Sequence, residues 1–499
     1  MTETTTSATG ITTDRLRSTN PADGTLVAEF DVDGPQQVAA AVGRAREAAV
    51  WWSGLSFRDR ERHLLRWAAH LTRHAEELAE LTRSENGKPH DDAYLELTLT
   101  LEHIRWAAKH ARSVLRTRSV SPGLLMANHA ASVEQRPLGV VGVIGPWNYP
   151  LFTPNGSIAY ALAAGNAVVF KPSEHTPAVG RFYAEAFAAA NPEAPAGVLE
   201  VIQGDGATGA ALCRAGVDKL AFTGSTATGK KIMASCAESL TPVLVECGGK
   251  DALIVAADAD VRAAADAAVW GAVSNSGQTC VGVERIYVVR SVREPFLAEV
   301  ERRLRQVRAG TDYGPMTVPS QVDIVRGHID DALANGATAV VGGADSVRAP
   351  YVDPVLLVDA DEDSAAVREE TFGPTVTVRT VESVDEAVRL TNATEYGLAA
   401  TVFSRKHGLD IARRIRAGAT SVNAVLGFAG VSSLPFGGVG DSGFGRIHGA
   451  EGLLEFSRSH SLTRQRFALP GMALMSFDRT ASTMRTIKRI VAFRHGRAK

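Results

Sequence analysis

A chain of 499 residues with 45% hydrophobic residues, 22% charged residues and a formal net charge of -2 is long enough for about three domain-sized units. Its charge balance argues against a nucleic-acid partner, which a basic domain would mark, and favours a small-molecule role. The cysteines Cys213, Cys236, Cys247 and Cys280 stand apart with no C-x-x-C pair, so no metal site or disulfide framework is expected and reduced thiols in a cytoplasmic protein fit best.

Residues 1–14, "MTETTTSATGITTD", are polar, lack the blocks of a signal peptide and are expected as a disordered leader. From Val38 to about Val114 apolar residues recur three and four apart, as in "HLLRWAAHLTRHAEELAELTR", which predicts helices. Pro137 to Phe170 contains no charged residue, over a length that can span a bilayer. Pro146, Pro150 and Pro154, with Asn148 and Asn155 between them, would leave backbone groups unpaired in lipid, so the segment reads as strand, loop, helix, strand. "AVVFKPS", "PAVGRFYAEAFAAA", "VLEVIQG", "KLAFTGS" and "TGKKIMASCAE" continue the alternation, the pattern of βαβ units around a parallel sheet. After "TPVLVECGGKDALIV" it starts again with strands such as "RIYVV" and "ATAVVGG", predicting a second α/β domain over about 249–442. Arg479 to Lys499 carries seven Lys or Arg and no acid; it reads as a solvated tail, a subunit-packing helix, or a segment that touches an anionic membrane surface.

Cys280 follows a helical pattern that ends at Asn275, Ser276 and Gly277, so an accessible loop thiol is expected, the kind that can act as a nucleophile. Thiolate attack on a carbonyl creates an oxyanion that needs a donor. Asn148 of "PWNYP" is either that donor or a plain turn residue. Glu246 ends an apolar run; it is an ordinary strand-end carboxylate or a buried one whose raised pKa suits general-base work. "FTGSTATGKK" puts Gly224, Ser225 and Gly229 between a strand and a helix start, where N–H groups can face a phosphate. "KPSE" sets Lys171 and Glu174 at a strand end, where open α/β sheets bind ligands and where a carboxylate would accept from ribose hydroxyls and repel a 2′-phosphate.

"PWNYP", "FKPSEHTP", "FTGSTATGKKI", "VECGGKDALIV", "SGQTCVG", "EETFGPTVTV" and "PFGGVGDSGFGR" occur in the order and approximate spacing of the aldehyde dehydrogenase superfamily, which the chain resembles over about residues 15 to 465. The resemblance implies two doubly wound α/β domains, one for the cofactor and one catalytic, plus a small β oligomerisation arm. It implies Cys280 as nucleophile, Glu246 as general base and Asn148 in the oxyanion hole. NAD, with NADP possible, would lie along Trp147. Lys171 and Glu174 match the adenosine-ribose pair, Gly206 the glycine beside the adenine end, Gly224 and Ser225 the pyrophosphate contact, and Glu370 and Phe372 the nicotinamide-ribose and ring contacts. The expected boundaries are 15–118 with 137–248 for cofactor binding, 249–442 for catalysis, 119–136 with 443–466 for the arm, and 467–499 for a basic tail.

The implied activity is NAD(P)-dependent oxidation of an aldehyde to a carboxylic acid through a cysteine thioester that Glu246-activated water hydrolyses, in a homodimer or homotetramer. A coenzyme A-acylating enzyme and a catalytically silent binding protein are the alternatives. Motifs near the end resemble a bacterial subgroup of succinate-semialdehyde dehydrogenases. In well-understood enzymes of that specificity an Arg lies eight residues after the oxyanion Asn, and here that position is Gly156. Tyr149, Phe152 and Phe428 suit an uncharged aldehyde as well or better, so succinate semialdehyde and an apolar aldehyde both stand as substrates. A second departure is Cys247, where Leu is common.

Overall fold

Short runs rich in Val, Ile and Phe become strands buried on both faces, such as Val140–Ile144 and Ala167–Lys171. The computed structural model describes residues 3–6, 12–468 and 475–496. They fall into two units, one of residues 1–114 and 137–457 and one of residues 115–136 and 458–499.

The first unit contains a six-stranded sheet in the order Gly443–Phe444, Val243–Cys247, Lys219–Gly224, Val140–Ile144, Ala167–Lys171, Leu199–Val201. All of it is parallel except the edge pairing of Gly443–Phe444 with Val243–Cys247. Alternate residues of a strand face opposite ways. One face buries Val140, Val169 and Leu220 against Val38 and Val42 of the helix Pro35–Gly54. The helix Phe152–Ala164 packs on the sheet as well, so Pro137 to Phe170 does form strand, loop, helix and strand. Among the described residues no helix is long and apolar enough to cross a membrane.

The same unit holds a seven-stranded sheet in the order Thr338–Val341, Val355–Val358, Thr375–Val381, Arg285–Val289, Ala252–Val255, Ala399–Phe403, Ala419–Val422. Only Thr338–Val341 runs antiparallel to its neighbour. Two parallel sheets of this kind are the α/β architecture expected. Both end their strands near the residues that carry chemistry, the position at which open α/β sheets bind ligands.

Two stretches differ from expectation. Residues 443–456, assigned from sequence to the arm, belong to the first unit: Gly443 pairs with Glu246 and Phe444 with Val245. Gly443 has φ 95°, and a Cβ there would lie 2.0 Å from the Val245 carbonyl oxygen, so only glycine permits this approach. Of the leader, Glu3–Thr6 pairs antiparallel with Thr12–Thr19, since a Thr-rich run suits a strand; residues 1–2 and 7–11 lie outside the described residues. The second unit has a three-stranded sheet in the order Ser457–Gln465, His129–Pro137, Arg118–Val120, and the helix Ala481–His495.

One buried ion pair ties the second sheet to the loop Glu369–Gly373. Glu284, just before the strand Arg285–Val289, pairs with Lys250 and accepts from Thr371 N at 2.8 Å and Phe372 N at 3.0 Å. Lys250 also donates to Thr371 Oγ1 at 3.0 Å. Removing one partner of a buried pair strands the other charge, so Glu284→Ala should cost about 3–5 kcal/mol in urea unfolding. A loss below about 1 kcal/mol, the range of exposed pairs, would contradict that reading.

Candidate active site

Cys280 follows the helix Val261–Val273 and the short segment Ser274–Gly277, in which Asn275 and Ser276 have φ 52° and 59°. The loop is less accessible than expected: residues 275–279 are all buried and Cys280 is partly so. Its polar side chains hold main-chain groups that burial would otherwise leave unpaired. Ser276 Oγ donates to Gly314 O at 2.7 Å, Asn275 Nδ2 to Gln278 O at 3.2 Å, and Thr317 N to Gln278 Oε1 at 2.9 Å. Burial, and after it the carboxyls of Glu246 and Glu370, push the Cys280 thiol well above its ordinary range.

The loop Pro146–Leu151 meets it from the first sheet. Asn148 Nδ2 donates to Gln278 O at 3.0 Å, the Asn275 amide donates to Asn148 O at 3.1 Å, and Tyr149 Oη lies 3.0 Å from Thr279 Oγ1. An amide has two N–H donors, and the Gln278 bond uses one. Beneath this loop sits a buried pair that sequence reasoning missed. Lys88 Nζ lies 2.6 Å from Glu96 Oε2 and donates to Asn148 O at 2.9 Å, while Glu96 Oε1 accepts from Leu151 N at 2.8 Å and Phe152 N at 3.1 Å. A carboxylate on these N–H groups caps the helix Phe152–Ala164, where it also meets the helix dipole. "NGKP" and an amphipathic helix gave no sign that either charge is buried.

Two cavities share Cys280 in their walls. One, of about 330 Å³, is lined mainly by apolar and aromatic residues, including Tyr149, Phe152, Trp270, Phe428 and Phe436, with no Lys or Arg. Glu246 lines it too; its Oε2 is buried without a hydrogen-bond partner, and burial raises the carboxyl to about 8. His448, another residue missed from sequence, lines the same cavity. The His448 ring lies 3.9 Å from that of His103, and its Nε2 has no partner. Burial, then His103, hold His448 well below its ordinary value. A Cβ on Gly156 would lie 2.7 Å from His448 Nε2. The neutral imidazole therefore fills the space that a side chain at 156 would need.

The other cavity, of about 270 Å³, is lined by Trp147, Asn148, Gly224, Ser225, Glu370 and Phe372 among others. Trp147 and Phe372 meet edge to face at 5.5 Å. Ser225 caps the helix Thr226–Ala237, accepting from Thr228 N, and that helix start opens on the cavity. Glu370 accepts from Gly249 N at 3.2 Å and is raised to about 8 by burial and then by Glu284. Cys247 lines this cavity as well, its thiol pushed up to about 11 by burial. A helix N-terminus, small residues and a carboxyl beside two aromatic rings fit a dinucleotide's phosphates, ribose and ring.

Lys171, Glu174 and Gly206 lie outside both cavities. Lys171 Nζ donates to Pro172 O at 2.8 Å and Gly204 O at 2.7 Å and lies 3.7 Å from Glu174; burial lowers its pKa. Gly206 starts the helix Gly206–Arg214, whose Gly209 neighbours the Lys171 stem. Glu174 also borders a separate cavity of about 920 Å³ with Glu85 and His175.

The model of the aldehyde dehydrogenase family matches residues 8–462. The chain is 39% identical over 463 residues to the 4,4'-diapolycopene aldehyde oxidase of Methylomonas sp, covering 91% of this chain and 87% of that protein. It is 35% identical over 442 residues to a Mycolicibacterium smegmatis protein provisionally named succinate-semialdehyde dehydrogenase [NADP(+)], covering 86% and 85%. Among solved structures, the NAD-dependent aldehyde dehydrogenase from Sinorhizobium meliloti superposes with a TM-score of 0.87 at 31% identity, covering 94% of each chain.

The raised carboxyl at 246 has a consequence for stability. Folded Glu246 keeps its proton up to about 8, whereas an ordinary glutamate releases it near 4.5. Between those values the unfolded chain binds fewer protons, so stability is greatest below the window and falls as pH rises through it. Glu246→Gln should remove about 1.4 kcal/mol of that fall per pH unit between about pH 5 and 8, read by urea unfolding at several pH values. An unchanged slope would contradict the raised value.

Proposed function

We propose that this chain, which belongs to the aldehyde dehydrogenase family, oxidises an uncharged, largely apolar aldehyde to the free carboxylic acid, with Cys280 as nucleophile. The observation that carries the reading is the position of Cys280 in the walls of both cavities, one apolar and containing Glu246, the other suited to a dinucleotide.

In this reading Gly224, Ser225 and the start of the helix Thr226–Ala237 hold the pyrophosphate. Glu370, Phe372 and Trp147 hold the nicotinamide end, and Lys171, Glu174 and Gly206 the adenosine end. The charge of Glu174 favours NAD over NADP. When bound, the nicotinamide supplies the acceptor for the hydride that the substrate carbon must lose.

The Cys280 thiol gives its proton to water, and Cys280 Sγ forms a bond to the carbonyl carbon. Asn148 Nδ2 and the Cys280 N–H donate to the oxyanion. After hydride loss Cys280 carries the acyl group as a thioester. Glu246 then takes a proton from water, the water oxygen attacks the acyl carbon, the C–S bond breaks, and the Cys280 thiolate and the acid separate. A buried base at this point favours water over coenzyme A as the acyl acceptor. The silent-protein reading has no use for these residues together.

The substrate class follows from the apolar cavity. His448 in place of a side chain at 156, and the lack of Lys or Arg in that wall, leave a substrate carboxylate without a bidentate partner. The diapolycopene aldehyde oxidase, at 39% identity, supports an apolar aldehyde. The NADP(+)-named relative keeps NADP within reach, and assembly as a homodimer or homotetramer and a cytoplasmic location complete the reading.

Two measurements test this. Cys280→Ala should abolish turnover while still binding NADH by fluorescence; retained turnover would overturn the role of Cys280. Across an aldehyde panel, kcat/KM for uncharged medium- to long-chain aldehydes should exceed that for succinate semialdehyde by about 10- to 100-fold, or about 1.4–2.8 kcal/mol. A preference for succinate semialdehyde would overturn the substrate class.

A further inference from the structure

The charge of the chain is segregated. Arg479 to Lys499 carries seven Lys or Arg and no acid, although the whole chain has a net charge of -2. Most of that stretch is the helix Ala481–His495, capped by Thr480, which accepts from Thr483 N. Thr483 is the only buried residue described in that helix. Met484, Ile487 and Val491, spaced three and four apart, form one stripe with Ile490 beside it. Arg485, Lys488 and Arg489 run along its flank. Met475 and Phe493 are each 88% exposed and Phe477 is fully exposed.

Exposed aromatic and aliphatic side chains interleaved with basic ones fit a water–lipid boundary, where rings enter the headgroup layer and cations meet anionic headgroups. Fifteen helical residues reach only about 22 Å, short of a span but suited to lying in the surface plane. A second copy packed symmetrically through the basic flank would bring Arg485, Lys488 and Arg489 close to their own counterparts. We infer that the segment 475–496 docks the protein on an anionic lipid surface through Phe477, Phe493 and the Arg485–Lys488–Arg489 flank. The inference does not depend on the proposed substrate, though a bilayer is where apolar aldehydes concentrate.

The test is sedimentation of the full chain with vesicles of phosphatidylcholine alone or with about 30% phosphatidylglycerol, at about 0.1 M and 0.5 M NaCl, which straddle strong and weak screening. The chain should pellet with the anionic vesicles, about tenfold less with the neutral ones, and be released by the higher salt. Arg485→Glu/Lys488→Glu/Arg489→Glu and Phe477→Ser/Phe493→Ser should each lose pelleting about tenfold. Unchanged turnover of a water-soluble aldehyde reports that these variants are folded. A wild-type chain that stays in solution with both vesicles, or pelleting that survives charge reversal, overturns the inference. So does dissociation of an oligomer in these variants with no vesicle binding by the wild type, which would assign the helix to a second copy.

Discussion

The ion pair of Lys88 and Glu96 underlies the arrangement around Cys280. Both side chains are all but fully buried, a costly state that pays only when their remaining hydrogen-bonding capacity is used. Here it is: the ammonium takes Asn148 O and the carboxylate takes the N–H groups of Leu151 and Phe152. The loop so anchored bonds to Gln278 and Asn275 and approaches Thr279. Segments from two sheets are thereby stitched together, with Cys280 next to the seam and in the walls of two cavities.

This construction sets the electrostatics. Glu246, Glu370 and Cys280 share a poorly solvated region, and burial raises all three. Protonated forms are cheap there and anions expensive, so a positive charge entering beside Cys280 stabilises its thiolate more than it would in water. The same burial keeps Glu246 near the pH at which it can both hold and release a proton. His448 is the converse case: neutral because it is buried, it occupies space near Gly156 without offering a charge to a carboxylate.

What could be read from the sequence followed from local pattern. Buried parallel strands announce themselves as apolar runs such as "GVVGVIGP" and "AVVFKPS", and their loops carry the Asn148, Ser225 and Glu246 motifs because strand ends are where ligands meet an α/β sheet. Contacts between distant segments were not readable. Lys88 sits in the turn between the helices Ala75–Asn86 and His90–Leu115 and Glu96 in the second of them, places where a charge is ordinarily solvated, and Glu284 lies outside any quoted motif. The approach to Cys280 through Asn275, Ser276 and Gly277 read as an accessible loop, whereas its polar side chains are consumed by buried main chain. Residues 443–456 went to the wrong unit because sheet-edge pairing of Gly443 depends on a backbone approach that spacing does not encode.

The most direct measurement follows the acyl group. In Glu246→Gln, given an uncharged aldehyde and NAD, Cys280 should form its thioester and fail to lose it. Intact mass would then rise by one acyl group replacing one hydrogen, and peptide mapping would put it on Cys280. No adduct, or an adduct on Cys247, would contradict the account.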